Sequence, residues 1–212
     1  NIVIRDLRID QNPTGNTNCD IGGQVLRRQH VFSFYNFENV AIENVEFNPT
    51  TSMNTITMNK RTAKIAIVRD CIFNFVRGNS SNPNYDNSAI YFQCFQHMAI
   101  GNQFNTEVGH GIGAMETHTG IAVIANNITR GYLVGLHIQP ADYREPNMNI
   151  VGNTFVDAGR GIMIWGSTDV PVRNVNMSSN VIKVNNKSRQ NISPIGGITM
   201  ASNNHSSHLE NV

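Results

Sequence analysis

The chain has 212 residues, of which 40% are hydrophobic and 15% charged, and its net charge at pH 7 is +1. The hydrophobic share is enough for the core of one domain. The near-neutral charge, without a Lys/Arg cluster, argues against a nucleic-acid-binding protein, and no apolar run is long enough to insert into a membrane. The three cysteines have no metal-ligand spacing, so we predict neither a metal nor another cofactor.

In chain order, residues 1–9 predict a first strand, residues 10–28 a loop or lid, and residues 30–37 an aromatic strand. Three later segments are too polar for a core and are predicted to be surface insertions: residues 77–87, 140–146 and 185–194. Asn, Gly, Thr and β-branched residues interrupt every window in which a helix could form. The chain starts and stops within its pattern, so we expect one domain over residues 1–212 that is a segment of a longer chain.

One short pattern recurs at intervals of 24 to 38 residues. It consists of an apolar residue, a polar residue three places on, and an apolar residue two places further. Its copies are Ile67-Asp70-Ile72, Ala99-Asn102-Phe104, Val123-Asn126-Ile128, Ile150-Asn153-Phe155 and Met177-Asn180-Ile182, preceded by the degenerate Ile4-Leu7-Ile9 and Ile42-Val45-Phe47. We expect the polar members Asp70, Asn102, Asn126, Asn153 and Asn180 to form an internal hydrogen-bonded ladder.

A second pattern, typical of a short strand, follows in each unit. Its copies are Thr55–Met58, Ala89–Phe92, Gly111–Ala114, Gly135–Ile138, Gly161–Ile164 and Gly197–Met200. Alternation with period two predicts that Ile112, Leu136, Ile162 and Ile198 point inward, and that Gly113, His137, Met163 and Thr199 point outward. Units this short must stack to bury an apolar face, and each buried Ile then contributes about 2 kcal/mol. We therefore predict an all-β fold, a single-stranded right-handed parallel β-helix of about seven coils.

These units resemble the pectin-lyase-like superfamily of parallel β-helix proteins. The resemblance is carried by the Gly-Ile-x-Ile strand, the Val/Ile strand and the Asn-x-Phe that follows it. It implies a polysaccharide lyase or hydrolase, or a bacteriophage tailspike or appendage, located outside the cell or on the virion surface. Its partner would be a polysaccharide or a cell-surface glycan, and the phage branch would allow a homotrimer.

Part of the motif set of polygalacturonase-type hydrolases is also present. Gly109-His110-Gly111 matches in full, and Asp86 occupies the place of an expected carboxylate. Asn54-Thr55-Ile56 lacks the expected Asp, and His137-Ile138-Gln139 stands where Arg and Lys would be. That mechanism is therefore not expected to operate unchanged.

The chemistry that remains is hydrolysis by two carboxylates, or elimination. We expect Glu116 and His118 to follow a strand that ends at Met115, and to lie near an acidic turn one coil later. The predicted catalytic residues are Glu116, Asp142, Glu145, Asp86 and His110. The predicted substrate-binding residues are His118, His137, Arg144, Tyr143, Trp165 and Tyr91, the aromatic ones by stacking on sugar rings.

Two classes of function stay open. The first is a depolymerase that binds and cleaves a polysaccharide as a glycoside hydrolase or lyase. The second is a non-catalytic β-helix shaft or adhesin that binds surface glycans, which the incomplete hydrolase motif favours. Each candidate also has a purely structural interpretation, since loop carboxylates are usually just solvated and a His between glycines is often only a turn residue.

Overall fold

A computed structural model describes residues 1–10, 30–50, 54–59, 64–75, 88–107, 111–118, 120–139, 147–166, 172–185, 196–202 and 209–210. These residues form strands and connecting turns, without a helix. In chain order the strands are β1 (Ile2–Ile9), β2 (Phe32–Phe34), β3 (Asn39–Thr50), β4 (Ile56–Met58), β5 (Ile65–Arg69), β6 (Ile72–Phe75), β7 (Ser88–Phe92), β8 (Gln96–Ile100), β9 (Gln103–Asn105), β10 (Gly111–Thr117), β11 (Ile121–Ala125), β12 (Ile128–Arg130), β13 (Tyr132–Ile138), β14 (Asn147–Val151), β15 (Thr154–Ala158), β16 (Arg160–Gly166), β17 (Val172–Arg173), β18 (Val175–Ser178), β19 (Val181–Val184), β20 (Gly196–Ser202) and β21 (Leu209–Glu210).

The strands form two large sheets and one small one. Twelve strands make one sheet in the order β18-β14-β11-β8-β5-β3-β6-β9-β12-β15-β19, with β1 paired to β3. Seven strands make the other in the order β2-β4-β7-β10-β13-β16-β20, and β17 pairs with β21. Every pairing among the described strands is parallel. The prediction of an all-β fold with stacked parallel strands is therefore confirmed.

The core lies between the sheets, and its side chains stack from one repeat to the next. The rings of Phe47, Phe73 and Phe104 form a column with centroids 4.7 and 4.8 Å apart and planes within 9°. That spacing is the distance between neighbouring strands, so each ring lies on the ring of the next repeat. Leu136 and Ile162 are fully buried as predicted, whereas Ile198 is 48% exposed because β20 is the last strand of its sheet.

The internal ladder exists, but two of its predicted members are wrong. Its side chains are Asn102, Asn127, Asn153 and Asn180, each joined to the next by a bond of 2.9 Å from Nδ2 to Oδ1. At the start of the ladder the backbone N–H of Cys71 donates to Oδ1 of Asn102 at 3.0 Å. Asn127 therefore replaces the predicted Asn126, and Cys71 stands where Asp70 was expected.

Asp70 and Asn126 occupy a corner one residue earlier, where the backbone is left-handed. The same corner recurs once in each of seven repeats, with φ between 52° and 68°, at Asp6, Asn44, Asp70, Gly101, Asn126, Gly152 and Ser179. Asp, Asn and Gly tolerate this region best, because their side chains are short and polar or absent. In Asn126-Asn127, two adjacent residues are therefore polar. The first adopts the left-handed corner, and the second belongs to the ladder.

Candidate functional site

The candidate site lies on the outer face of the seven-stranded sheet. Register places Thr57, Tyr91, Glu116, His137 and Met163 side by side on successive strands. Their neighbours in sequence, such as Leu136 and Ile162, belong to the core, so this row points away from it. The row is nevertheless shielded, since Glu116 is 1% exposed, His137 8% and Met163 7%.

The prediction that Glu116 follows the end of its strand is wrong. Strand β10 extends to Thr117, so Glu116 lies within the strand and does not follow its end. Met115, not Ile112, is opposite Leu136, and this brings Glu116 opposite His137. His118 follows β10 directly, and its backbone N–H donates to the carbonyl of Phe92 at 3.1 Å, which continues the pairing of β10 with β7.

The carboxylate of Glu116 is held on both oxygens. The hydroxyl of Ser88 donates to Oε2 at 3.1 Å, and Nε2 of His118 lies 2.6 Å from Oε1. Nδ1 of His137 is 3.7 Å from the same Oε1, which is an electrostatic contact and too long for a good hydrogen bond. Ser88 is fixed in turn, because its backbone N–H donates to Oδ1 of Asn54 at 2.8 Å.

Two imidazole nitrogens of this cluster are buried without a hydrogen-bond partner, Nδ1 of His118 and Nε2 of His137. The ring of Tyr91 packs against that of His118 with centroids 4.8 Å apart and an angle of 52°. Tyr91 and Ser88 thus restrict the pair of Glu116 and His118 from two sides. A buried nitrogen without a hydrogen-bond partner costs free energy. Such atoms are typical of a site that receives a ligand or water.

Burial controls the charge of His137. Burial is the main cause that lowers the pKa of His137 to about 4; the Glu116 carboxylate opposes it, and His118 and Arg160 act in the same direction as burial. His137 is therefore neutral at pH 7 and can both donate and accept a hydrogen bond.

Next to His137 the outer face becomes apolar. Leu133, Val134 and Met163 are buried together, and Trp165 packs against them. Arg160 is 6% exposed, and its Nη1 contacts the sulfur of Met163. Burial lowers the pKa of Arg160, but a guanidinium starts from so high a value that it stays charged.

On the inner side of β10 a further histidine is held rigidly. Nδ1 of His97 lies 3.0 Å from the carbonyl of Cys94, and Nε2 lies 2.6 Å from the hydroxyl of Thr117. A carbonyl only accepts, so Nδ1 carries the proton and Nε2 accepts from Thr117. Burial lowers the pKa of His97 to about 4, and His97 is therefore a neutral structural residue.

Four of the predicted site residues come together: Glu116, His118, His137 and Tyr91. Trp165 belongs to the adjoining apolar cluster, where it is partly buried. The remaining predicted residues lie outside the described part of the chain, namely Asp86, His110, Asp142, Tyr143, Arg144 and Glu145. The predicted pair of carboxylates therefore stays a prediction.

Sequence reasoning missed Ser88 and Arg160. Ser88 precedes the Ala-Ile-Tyr-Phe strand, and only the register that brings Glu116 opposite Tyr91 reveals its contact with the carboxylate. Arg160 stands alone between two glycines, and no motif in the sequence marks it.

Other types of site find little support within the described ranges. No group of three or more His, Cys, Asp or Glu residues there is placed to hold a metal ion. A concavity of about 360 Å³ lies at the left-handed corner of the first repeats, beside Asp6, Asn44 and Asp70, on the other large sheet. No helix in these ranges is long and apolar enough to cross a membrane.

Comparison with protein-family models, with curated proteins and with solved structures finds no match to this chain.

Proposed function

We propose that the chain is a right-handed parallel β-helix of about seven coils, of the pectin-lyase-like type. Two observations support this. The chain visits the two large sheets in turn, so that each strand pairs with its counterpart one repeat later. The left-handed corner also occurs seven times, once in each repeat. In such a fold every coil would contribute one residue to each outward row, and the row that holds Glu116 and His137 would be one of these rows.

The function proposed for this β-helix is binding and cleavage of a polysaccharide, by hydrolysis or elimination. The observation that carries the proposal is the 2.6 Å contact between Oε1 of Glu116 and Nε2 of His118 on an outward row. A buried carboxylate paired with an imidazole is a device for holding and moving a proton, and both reactions require proton transfer. Tyr91 and neutral His137 beside it are suited to binding the rings and hydroxyls of a sugar.

The test is a panel of bacterial and plant polysaccharides, assayed for new reducing ends and for absorbance of a new double bond. We expect cleavage of at least one polymer, and loss of this activity in the double variant Glu116→Gln, Asp142→Asn. Glu43→Gln is the matched control, since Glu43 is a carboxylate paired with Arg69 on the other large sheet. Full activity of the double variant would show that the site is assigned wrongly.

The second candidate is a non-catalytic shaft or adhesin that binds surface glycans. Its supporting observation is that Glu116 is only 1% exposed and already has partners on both oxygens, as a purely structural carboxylate would. This alternative predicts saturable oligosaccharide binding without product formation on long incubation. Both candidates place the protein outside the cell or on a virion, and a homotrimer would fit the phage branch.

A further inference from the structure

The roles within the pair of Glu116 and His118 can be separated by their hydrogen bonds. Oε2 of Glu116 accepts from Ser88, and Oε1 faces Nε2 of His118. A carboxylate in its ionised form only accepts hydrogen bonds, so Nε2 of His118 carries a proton. In the neutral imidazole the lone pair is then on Nδ1.

Nδ1 of His118 is also the atom of the pair that has no partner. It is buried and makes no hydrogen bond, and the whole residue is 6% exposed. The Tyr91 ring, 4.8 Å away, limits rotation of the imidazole. The pair therefore leaves one imidazole nitrogen, Nδ1 of His118, unused, while both oxygens of the carboxylate are occupied.

We propose that His118 is the catalytic residue that exchanges the proton with the substrate, that Glu116 is a positioning residue for it, and that Ser88 anchors Glu116. This inference rests on the proposed function and reverses the roles expected from sequence, where Glu116 was catalytic and His118 bound substrate. Nδ1 of neutral His118 takes a proton from the attacking water or from the substrate. The donor X–H bond breaks, its electron pair stays on X, and an N–H bond forms.

The resulting imidazolium is stabilised by the carboxylate that already faces Nε2, and the proton later returns to the leaving group or to water. An oriented carboxylate–histidine pair works in this way: the histidine transfers the proton, and the carboxylate fixes the tautomer of the histidine without becoming protonated. Nδ1 is buried in this structure, so substrate binding has to expose it.

The experiment compares His118→Gln, Glu116→Gln and Ser88→Ala on a polysaccharide that the wild type cleaves. We expect His118→Gln to lose about 10²–10⁴-fold in kcat/KM, the usual contribution of a general acid–base residue. Glu116→Gln should also lose activity, because an amide can face either tautomer of His118, and Ser88→Ala should lose less. Glu43→Gln is again the control, since Glu43 pairs with Arg69 on the other large sheet.

A second readout does not depend on turnover. Nitrogen NMR of the free protein with neutral His118 should show the proton on Nε2 and the lone pair on Nδ1. In Glu116→Gln this tautomer should be mixed, and the acidic limb of the pH profile of kcat/KM should move. A purely structural Glu116 would leave that limb in place.

The outcomes separate this inference from the proposed function. Cleavage that needs Glu116 but survives in His118→Gln would overturn the inference and keep the depolymerase. A proton on Nδ1 in the neutral protein would also overturn the inference, whatever the activity. Absence of cleavage across the whole panel would overturn the proposed function, and the catalytic role of His118 with it.

Discussion

Two columns of side chains run through this protein at right angles to its strands. They differ in residue type and in how completely their polar atoms are hydrogen-bonded. The inner column of Asn102, Asn127, Asn153 and Asn180 repeats one residue type, and each amide is bonded to the next. The outer row around Glu116 changes residue type at every strand and leaves nitrogens of His118 and His137 unpartnered. A column of identical residues whose hydrogen bonds are all made is what a structural role requires. A row of different residues with unused hydrogen-bonding atoms is typical of a site that acts on another molecule.

The largest expected effect on stability comes from breaking the inner column. Asn127→Ala would leave the backbone N–H of Asn102 and the carbonyl of Ala99 without their buried partners. Each such loss costs about 1–3 kcal/mol, so we expect the free energy of unfolding to fall by about 3–5 kcal/mol in urea titrations.

The neighbouring amide provides the control for this change. Asn126 is exposed and has φ of 56°, so Asn126→Gly keeps the corner and should alter stability by less than about 1 kcal/mol. Equal losses in the two variants would show that Asn127 has no special place in the ladder.

An intermediate effect is expected from acid at each of two buried histidines. The pKa of His97 and of His137 is about 4 in the folded protein and about 6.5 in the unfolded chain, so between these values the unfolded state binds more protons. The contribution of each neutral histidine to the free energy of unfolding is therefore fully present above about pH 6.5. It is lost as the pH drops toward 4, which lowers the free energy of unfolding by about 3 kcal/mol for each histidine.

Urea unfolding of the wild type and of His97→Gln at pH 7 and pH 4.5 checks this expectation. Carboxylates titrate in the same range in both proteins, so the informative quantity is the difference between the two pH dependences. The wild type should lose more stability than the variant over this interval, and parallel curves would contradict the neutral, buried state of His97.

The smallest expected effect comes from the outer row. Ser88→Ala removes one hydrogen bond to Glu116 and should lower the free energy of unfolding by only about 1 kcal/mol, although we expect it to lower the proposed activity. Thermal unfolding measured beside kcat/KM tests this separation. A loss of stability as large as that of Asn127→Ala would mean that the outer row is structural in the same sense as the ladder.

The sequence predicted the all-β class, the stacked parallel strands and most of the ladder, because apolar periodicity and repeated Asn are local signals. It could not distinguish Asn126 from Asn127, since both fit a polar position and only the backbone conformation separates them. The register of β10 was also missed. Its Gly-Ile-Gly-Ala segment resembles the other second strands, but it pairs three residues out of the expected alignment.

That difference in alignment determines which residues lie next to Glu116. It moves Glu116 from a turn into a strand and places it between Tyr91 and His137. The contact of Glu116 with Ser88 joins residues 28 positions apart, and no local pattern encodes it. Glu116 and His137 could thus be named from sequence, whereas the contacts of Glu116 with His137 and Ser88 are seen only in the structure.

The inner amides also have a shared direction. Oδ1 of Asn127 accepts both the backbone N–H and the side-chain amide of Asn102, and Asn153 and Asn180 repeat this arrangement. Turning one amide over would place its NH₂ group against the N–H groups of the preceding repeat, so none can turn without breaking bonds at its neighbour. Slippage of one repeat by a single residue would break the same bonds. The ladder therefore fixes the register of neighbouring repeats at this corner of the stack.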